Sequence, residues 1–175
     1  MIGKRGLILA YGNPAREDDG LGPALAEEIE ALTPEGVTIS VDYQLSLENA
    51  IEIASHDYTI FIDASINGVE PFSFYRIFPK ESWSFTDHSI KPETLAAIAE
   101  EFFRSKGWYY GLGVRGCCFE MLKEKITQKG MKNLMSAKDF LIEFITEGIN
   151  KGSTQDTQIM NAFQKFQTEA SHLQK

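Results

Sequence analysis

Cysteine is nearly absent from this chain of 175 residues: the only two, Cys117 and Cys118, are adjacent. Neighbouring cysteines have poor geometry for an ordinary disulfide, and they lack the spacing of a zinc knuckle. A reduced pair in a cytoplasmic protein is the expectation. Long hydrophobic runs are missing too. Lys4 and Arg5 precede only the short run LILAY, which stops at a Gly-Asn-Pro turn, too soon for a signal sequence or a membrane span. Positive charge is the minority sign. With a formal net charge of -8, the average surface repels phosphate backbones and anionic lipid, so neither nucleic acid nor membrane is expected as a partner. The loop GNPAREDDGLGP after the first apolar run lacks the Gly-x-Gly-x-x-Gly spacing, and no Gly-Lys-Ser/Thr follows it, so it is neither a dinucleotide fingerprint nor a Walker loop.

What is present is an alternation of short apolar runs with longer segments of helical period. That pattern predicts an α/β fold, a mostly parallel sheet covered by helices. Strands are expected at Gly6 to Tyr11, Val37 to Tyr43, Tyr58 to Asp63, Phe72 to Phe78 and Trp108 to Val114. Helices are expected at about Pro23 to Leu32, where Leu25, Ile29 and Leu32 share a face, and at Leu47 to Ser55. A third begins at Pro92 with Leu95, Ile98, Ala99 and Phe102 aligned, and a fourth spans Met135 to Ile149. After Asn150 the composition turns to KGSTQDTQ and a glutamine-rich end. One domain over 1–150 and a polar tail over 151–175, either helical around Phe163 and Phe166 or disordered, are therefore expected.

Chemistry concentrates at the ends of two strands. The loop GNPAREDDGLGP after the first strand brings Asp18 and Asp19 to the entrance of the first helix, and Asp63 closes the run YTIFID. Acidic residues ahead of a helix often do no more than complement its positive end, and an aspartate after a strand is often a turn residue. Their common position is more telling, because the carboxyl edge of an open α/β sheet is where ligands bind. A negative loop disfavours a phosphate cradle and favours a cation. Of the three histidines, His56 falls on the opposite edge and His172 in the tail. His88, in FTDHSIKPETL, is the one placed to join the carboxylates. Asp19, Asp63 and His88 form an oxygen, oxygen, nitrogen set suited to a borderline divalent metal such as nickel or zinc, with coordination positions left open.

These segments resemble the peptidases that mature the large subunit of nickel-iron hydrogenases. GNPAREDDGLG is similar to that family's Gly-Asn-x-x-x-x-Asp-Asp/Glu-Gly pattern; FIDA at Phe61 to Ala64 and DHSIKP around His88 are similar to its later motifs. YQLSLENA (Tyr43 to Ala50) and GVRGCCFE (Gly113 to Glu120) resemble one branch of it, and the likeness runs from about Gly6 to Ile145. The resemblance implies a three-layer α/β fold with helices on both faces of a twisted, mostly parallel sheet. It further implies an endopeptidase that removes a C-terminal extension from the hydrogenase large-subunit precursor once nickel, carried by that precursor, has been inserted. No organic cofactor is implied. By motif, the metal contacts fall on Asp19, Asp63 and His88, with Asp18 an alternative first ligand and a possible base. The cysteine pair and the tail depart from the family's pattern. A non-catalytic protein of nickel recognition or delivery would use the same residues, as would a small-molecule hydrolase with a metal of its own.

Overall fold

A computed structural model describes residues 5–32, 34–80 and 90–149. Five strands, β1 (Gly6–Tyr11), β2 (Val37–Asp42), β3 (Tyr58–Ser65), β4 (Phe72–Ile77) and β5 (Trp108–Arg115), form one sheet in the order β2-β1-β3-β5-β4. All neighbours are parallel except β4, which runs antiparallel to β5 at the edge. Helices α1 (Leu21–Glu30), α2 (Asn49–Ala54), α3 (Pro92–Phe103) and α4 (Gln128–Glu143) cover the two faces, and α4 continues into π-helical turns over Phe144–Ile149.

Strand alternation divides the core in two. Ile8 and Ala10 of β1, with Ile60 and Ile62 of β3, pack under α1 and α4; Leu7, Leu9 and Phe61 face Ile53 of α2 and Leu95, Ala96 and Ala99 of α3. The first face is sealed by aromatic contacts, with Phe74 stacked on Tyr110 at 5.4 Å and meeting Phe140 edge-on at 4.9 Å. The architecture is the expected three-layer α/β sandwich with helices on both faces.

Several boundaries differ from expectation. β3 runs two residues beyond Asp63, because Ala64 and Ser65 still pair with Val114 and Arg115 of β5. α1 starts earlier, at Leu21, after a 3-10 turn over Glu17–Gly20, and it ends at Glu30, which leaves Leu32 half exposed rather than on the buried face. Phe102, in the last turn of α3, is likewise exposed. α4 begins seven residues before Met135, capped by Thr127, whose hydroxyl oxygen accepts the Gly130 N–H at 3.0 Å. Among the described residues no helix is long and apolar enough to cross a membrane.

Candidate active site

The sheet order reverses its direction of winding between β1 and β3, so their carboxyl ends open onto a crevice. β1 ends there at Tyr11, and the loop that follows is bent by its own residues. Gly12 has φ +142°, which a side chain would not tolerate, and Asn13 Oδ1 accepts the Ala15 N–H at 2.9 Å. Asp19 is then aimed back across the loop. Its Oδ2 accepts the Asn13 N–H at 3.2 Å and lies 3.8 Å from Arg16 Nη1.

Asp63 faces the same crevice from β3. Its Oδ1 accepts the Ala64 N–H at 2.7 Å, and the Tyr11 hydroxyl donates to its carboxylate. Burial is the main reason the Asp63 carboxyl is pushed up to about 6; the charge of Asp19 adds to the rise, while the hydrogen bonds from Ala64 and Tyr11 oppose it. The two carboxylates predicted from sequence are therefore close enough to feel one another. The first turn of α1 presses onto this point, since a Cβ on Gly22 would lie 2.5 Å from the Tyr11 carbonyl oxygen and 2.9 Å from that of Ile62.

Three further residues belong to the site and were missed in the sequence. The Tyr11 phenol is pushed up, first by burial and then by Asp63, Tyr75 and Glu93, and so stays a proton donor. Tyr75, on β4, is raised by burial and by the charges of Glu93 and Asp63. Its ring, 47% exposed, lies across β5 because that strand carries glycine opposite it: a Cβ on Gly111 would meet the Tyr75 ring at 2.4 Å, and Gly113 is the strand partner of Asp63. Glu93 stands in the first turn of α3, so that helix also opens at the crevice. The signal was available in WYYGLGVR, where alternate glycines inside a strand mark a close approach.

Asp18 behaves differently from its neighbour. It is fully buried, and its carboxylate accepts four hydrogen bonds from the β5–α4 loop: Cys117 N–H (2.8 Å) and Cys118 N–H (3.3 Å), Thr127 N–H (2.8 Å) and Thr127 O–H (2.9 Å). Burial raises its carboxyl, but these bonds outweigh burial and leave it below the ordinary value. A carboxylate so engaged and shut off from solvent is a poor base and is badly placed to meet a ligand, which argues against both roles considered for it. Its work is to tie the Asp19 turn to α4.

His88, Trp83 and Phe85 lie outside the described residues, as does the tail from 150 onward. His56 sits at the opposite edge, with Nε2 3.0 Å from Thr38 Oγ1. Glu120 pairs with Lys123. Among the described residues no group of three or more metal-ligating side chains converges. Asp19 and Asp63 supply two oxygen donors of the kind a divalent ion takes.

No family model and no curated protein matches the sequence. Solved structures do match. The chain resembles the [NiFe] hydrogenase maturation protease HycI from Thermococcus kodakarensis KOD1 at 19% identity and a TM-score of 0.64, over 83% of this chain and 95% of that one. It resembles the hydrogenase maturating endopeptidase HybD from E. coli at 20% identity and 0.61, over 82% and 93%. The hydrogenase 2 maturation peptidase from Thaumarchaeota archaeon SCGC_AB-539-E09 aligns at 17% identity and 0.59, over 82% and 99%. The chain thus has the fold of the hydrogenase maturation peptidases.

Proposed function

We propose that this protein is an endopeptidase that removes the C-terminal extension of a hydrogenase large-subunit precursor after nickel has been inserted. The observation that carries the reading is the pair Asp19 and Asp63, delivered from two strands to one crevice in a fold shared with proteins named for that activity. Asp19 and Asp63 are assigned as oxygen ligands to nickel borne by the precursor, and His88, five residues ahead of Glu93 in the sequence, as the third. The nickel is part of the substrate.

Gripping the ion fixes the neighbouring peptide bond, so the reaction depends on a filled substrate site. Asp63 has to be an anion to ligate. Because its carboxyl titrates at about 6, it exchanges a proton near neutral pH, and binding below that value releases one. The Tyr11 hydroxyl holds the carboxylate in orientation through this exchange. Hydrolysis adds water across the amide, giving the mature C-terminus and a free peptide.

Intact mass spectrometry of nickel-loaded precursor, incubated with a small amount of this protein, tests the reading. Loss of one defined C-terminal peptide, with many precursor molecules cut per protein molecule and none cut without nickel, is the expected result. A stable complex of unchanged mass would replace the peptidase with a recognition or delivery protein.

A further inference from the structure

The β5–α4 loop carries two thiols that the proposed reaction does not use. Cys117 and Cys118 are free and exposed, with their sulfurs 3.6 Å apart and Cys117 Sγ 3.4 Å from Thr127 Oγ1. The backbone of the same two residues has another task, because both N–H groups donate to the buried Asp18 carboxylate. That carboxylate is closely enclosed: a Cβ on Gly116 would lie 2.8 Å from Asp18 Cβ, and one on Gly130 would lie 2.6 Å from Asp18 Oδ1. The sulfurs therefore face solvent while their own peptide forms part of a buried anchor. Thr127, the third partner, also caps α4.

We propose that Cys117 and Cys118 form a modification site for low-molecular-weight disulfides, which convert the pair to a vicinal disulfide and thereby loosen the anchor on Asp18. The thiolate of one cysteine attacks the reagent RS–SR, forming a mixed disulfide and expelling RS⁻. The second cysteine then attacks the protein sulfur of that mixed disulfide; the ring closes and a second RS⁻ leaves. The protein gives up two electrons and two protons, and the reagent departs as two RSH.

Closure has a structural consequence because of what the ring contains. The sulfurs must approach to about 2.05 Å, and the peptide between Cys117 and Cys118 becomes part of a small ring in which a planar trans unit is strained. That peptide includes the Cys118 N–H. It turns away from Asp18, and Cys117 Sγ leaves Thr127. The Asp19 turn, one residue from Asp18, is then held by three of its four bonds, and its tie to α4 through Thr127 is loosened. The inference stands whether or not the protein is a peptidase.

The test uses the full chain treated with oxidised glutathione, followed by intact mass and amide hydrogen exchange, with no precursor present. The expected product has lost two hydrogens, retains no glutathione and reverts with a dithiol reductant. In it the Cys118 and Thr127 amides exchange at least tenfold faster than in the reduced protein. Cys117→Ser and Cys118→Ser each retain one glutathione instead. Wild-type protein that stops at glutathione adducts, or that closes its ring with exchange at those amides unchanged, would overturn the proposal.

Discussion

Replacing Asp63 by Asn should make the protein more stable and less active at once, and the size of the gain follows from the site. The carboxyl is lifted from its ordinary 3.8 to about 6, chiefly by burial. At 1.36 kcal/mol for each tenfold, holding it as an anion costs the fold about 3 kcal/mol. The folded-state value lies above the unfolded one, so the wild type is most favoured below pH 3.8 and loses this stability as the pH rises through about 6. Asn does not titrate, and its Oδ1 still accepts the Ala64 N–H while its amide group meets the Tyr11 hydroxyl. Asp63→Asn should therefore match the wild type near pH 4, gain over it between pH 4 and 6, and level off above that. A gain of about 3 kcal/mol is worth roughly 6–12 °C in Tm for a chain of this size. Thermal and urea unfolding of both proteins from pH 4 to 8 measures it, alongside loss of precursor processing. Equal stability at pH 8, or a difference independent of pH, would show that Asp63 is not a strained anion and would refute the account of its proton exchange near neutral pH.

Two other substitutions probe the neighbours. Asp18→Ala should destabilise the fold by about 3–5 kcal/mol, because four donors lose a buried charged acceptor. Its carboxyl is lowered in the fold, so its contribution in the wild type is present above the ordinary carboxylate value and fades as the pH falls; urea midpoints at pH 7 and pH 3 check both statements. Tyr11→Phe should cost about 1 kcal/mol of stability and raise the Asp63 carboxyl above its present value, since the hydroxyl now favours the anion. The acid limb of the activity profile then moves to higher pH, and carboxyl-carbon NMR titration of Asp63 follows the same change directly.

The strands were legible because each is a short apolar run closed by turn residues, and β1 begins and ends where the pattern placed it. Asp63 was misjudged as a terminus because the two residues after it are held by β5, a pairing fifty residues away along the chain that no local pattern encodes. The beginning of α4 escaped for a related reason. Gln128 to Asn133 has Met131 as its one large apolar residue and contains Gly130, a poor helix former, and the first turn is held instead by the Thr127 cap and by Asp18 beneath it. Within the site, Asp19 and Asp63 could be found by position alone. The difference between Asp18 and Asp19 could not, because it depends on which loop each carboxylate meets. Tyr11 was legible only as the last residue of its strand, and the adjoining Asp63, which gives its hydroxyl a partner, is distant in sequence.

The glycines of the crevice limit how this protein can be made more robust. Exchanging a strand or helix glycine for alanine is a standard route to stability, because it restricts the unfolded chain. Here the obvious positions resist it: Gly22 would drive a methyl into two strand carbonyls and Gly111 into the Tyr75 ring, while at Gly113 Ser73 Oγ, 3.0 Å away, would have to give. Gains that keep the crevice intact have to come from elsewhere in the molecule, where Leu32 and Phe102 stand in solvent and can become polar. Sturdiness and reactivity thus trade against each other at Asp63 but come apart at these outer positions, where an engineer can alter the first while leaving the second alone.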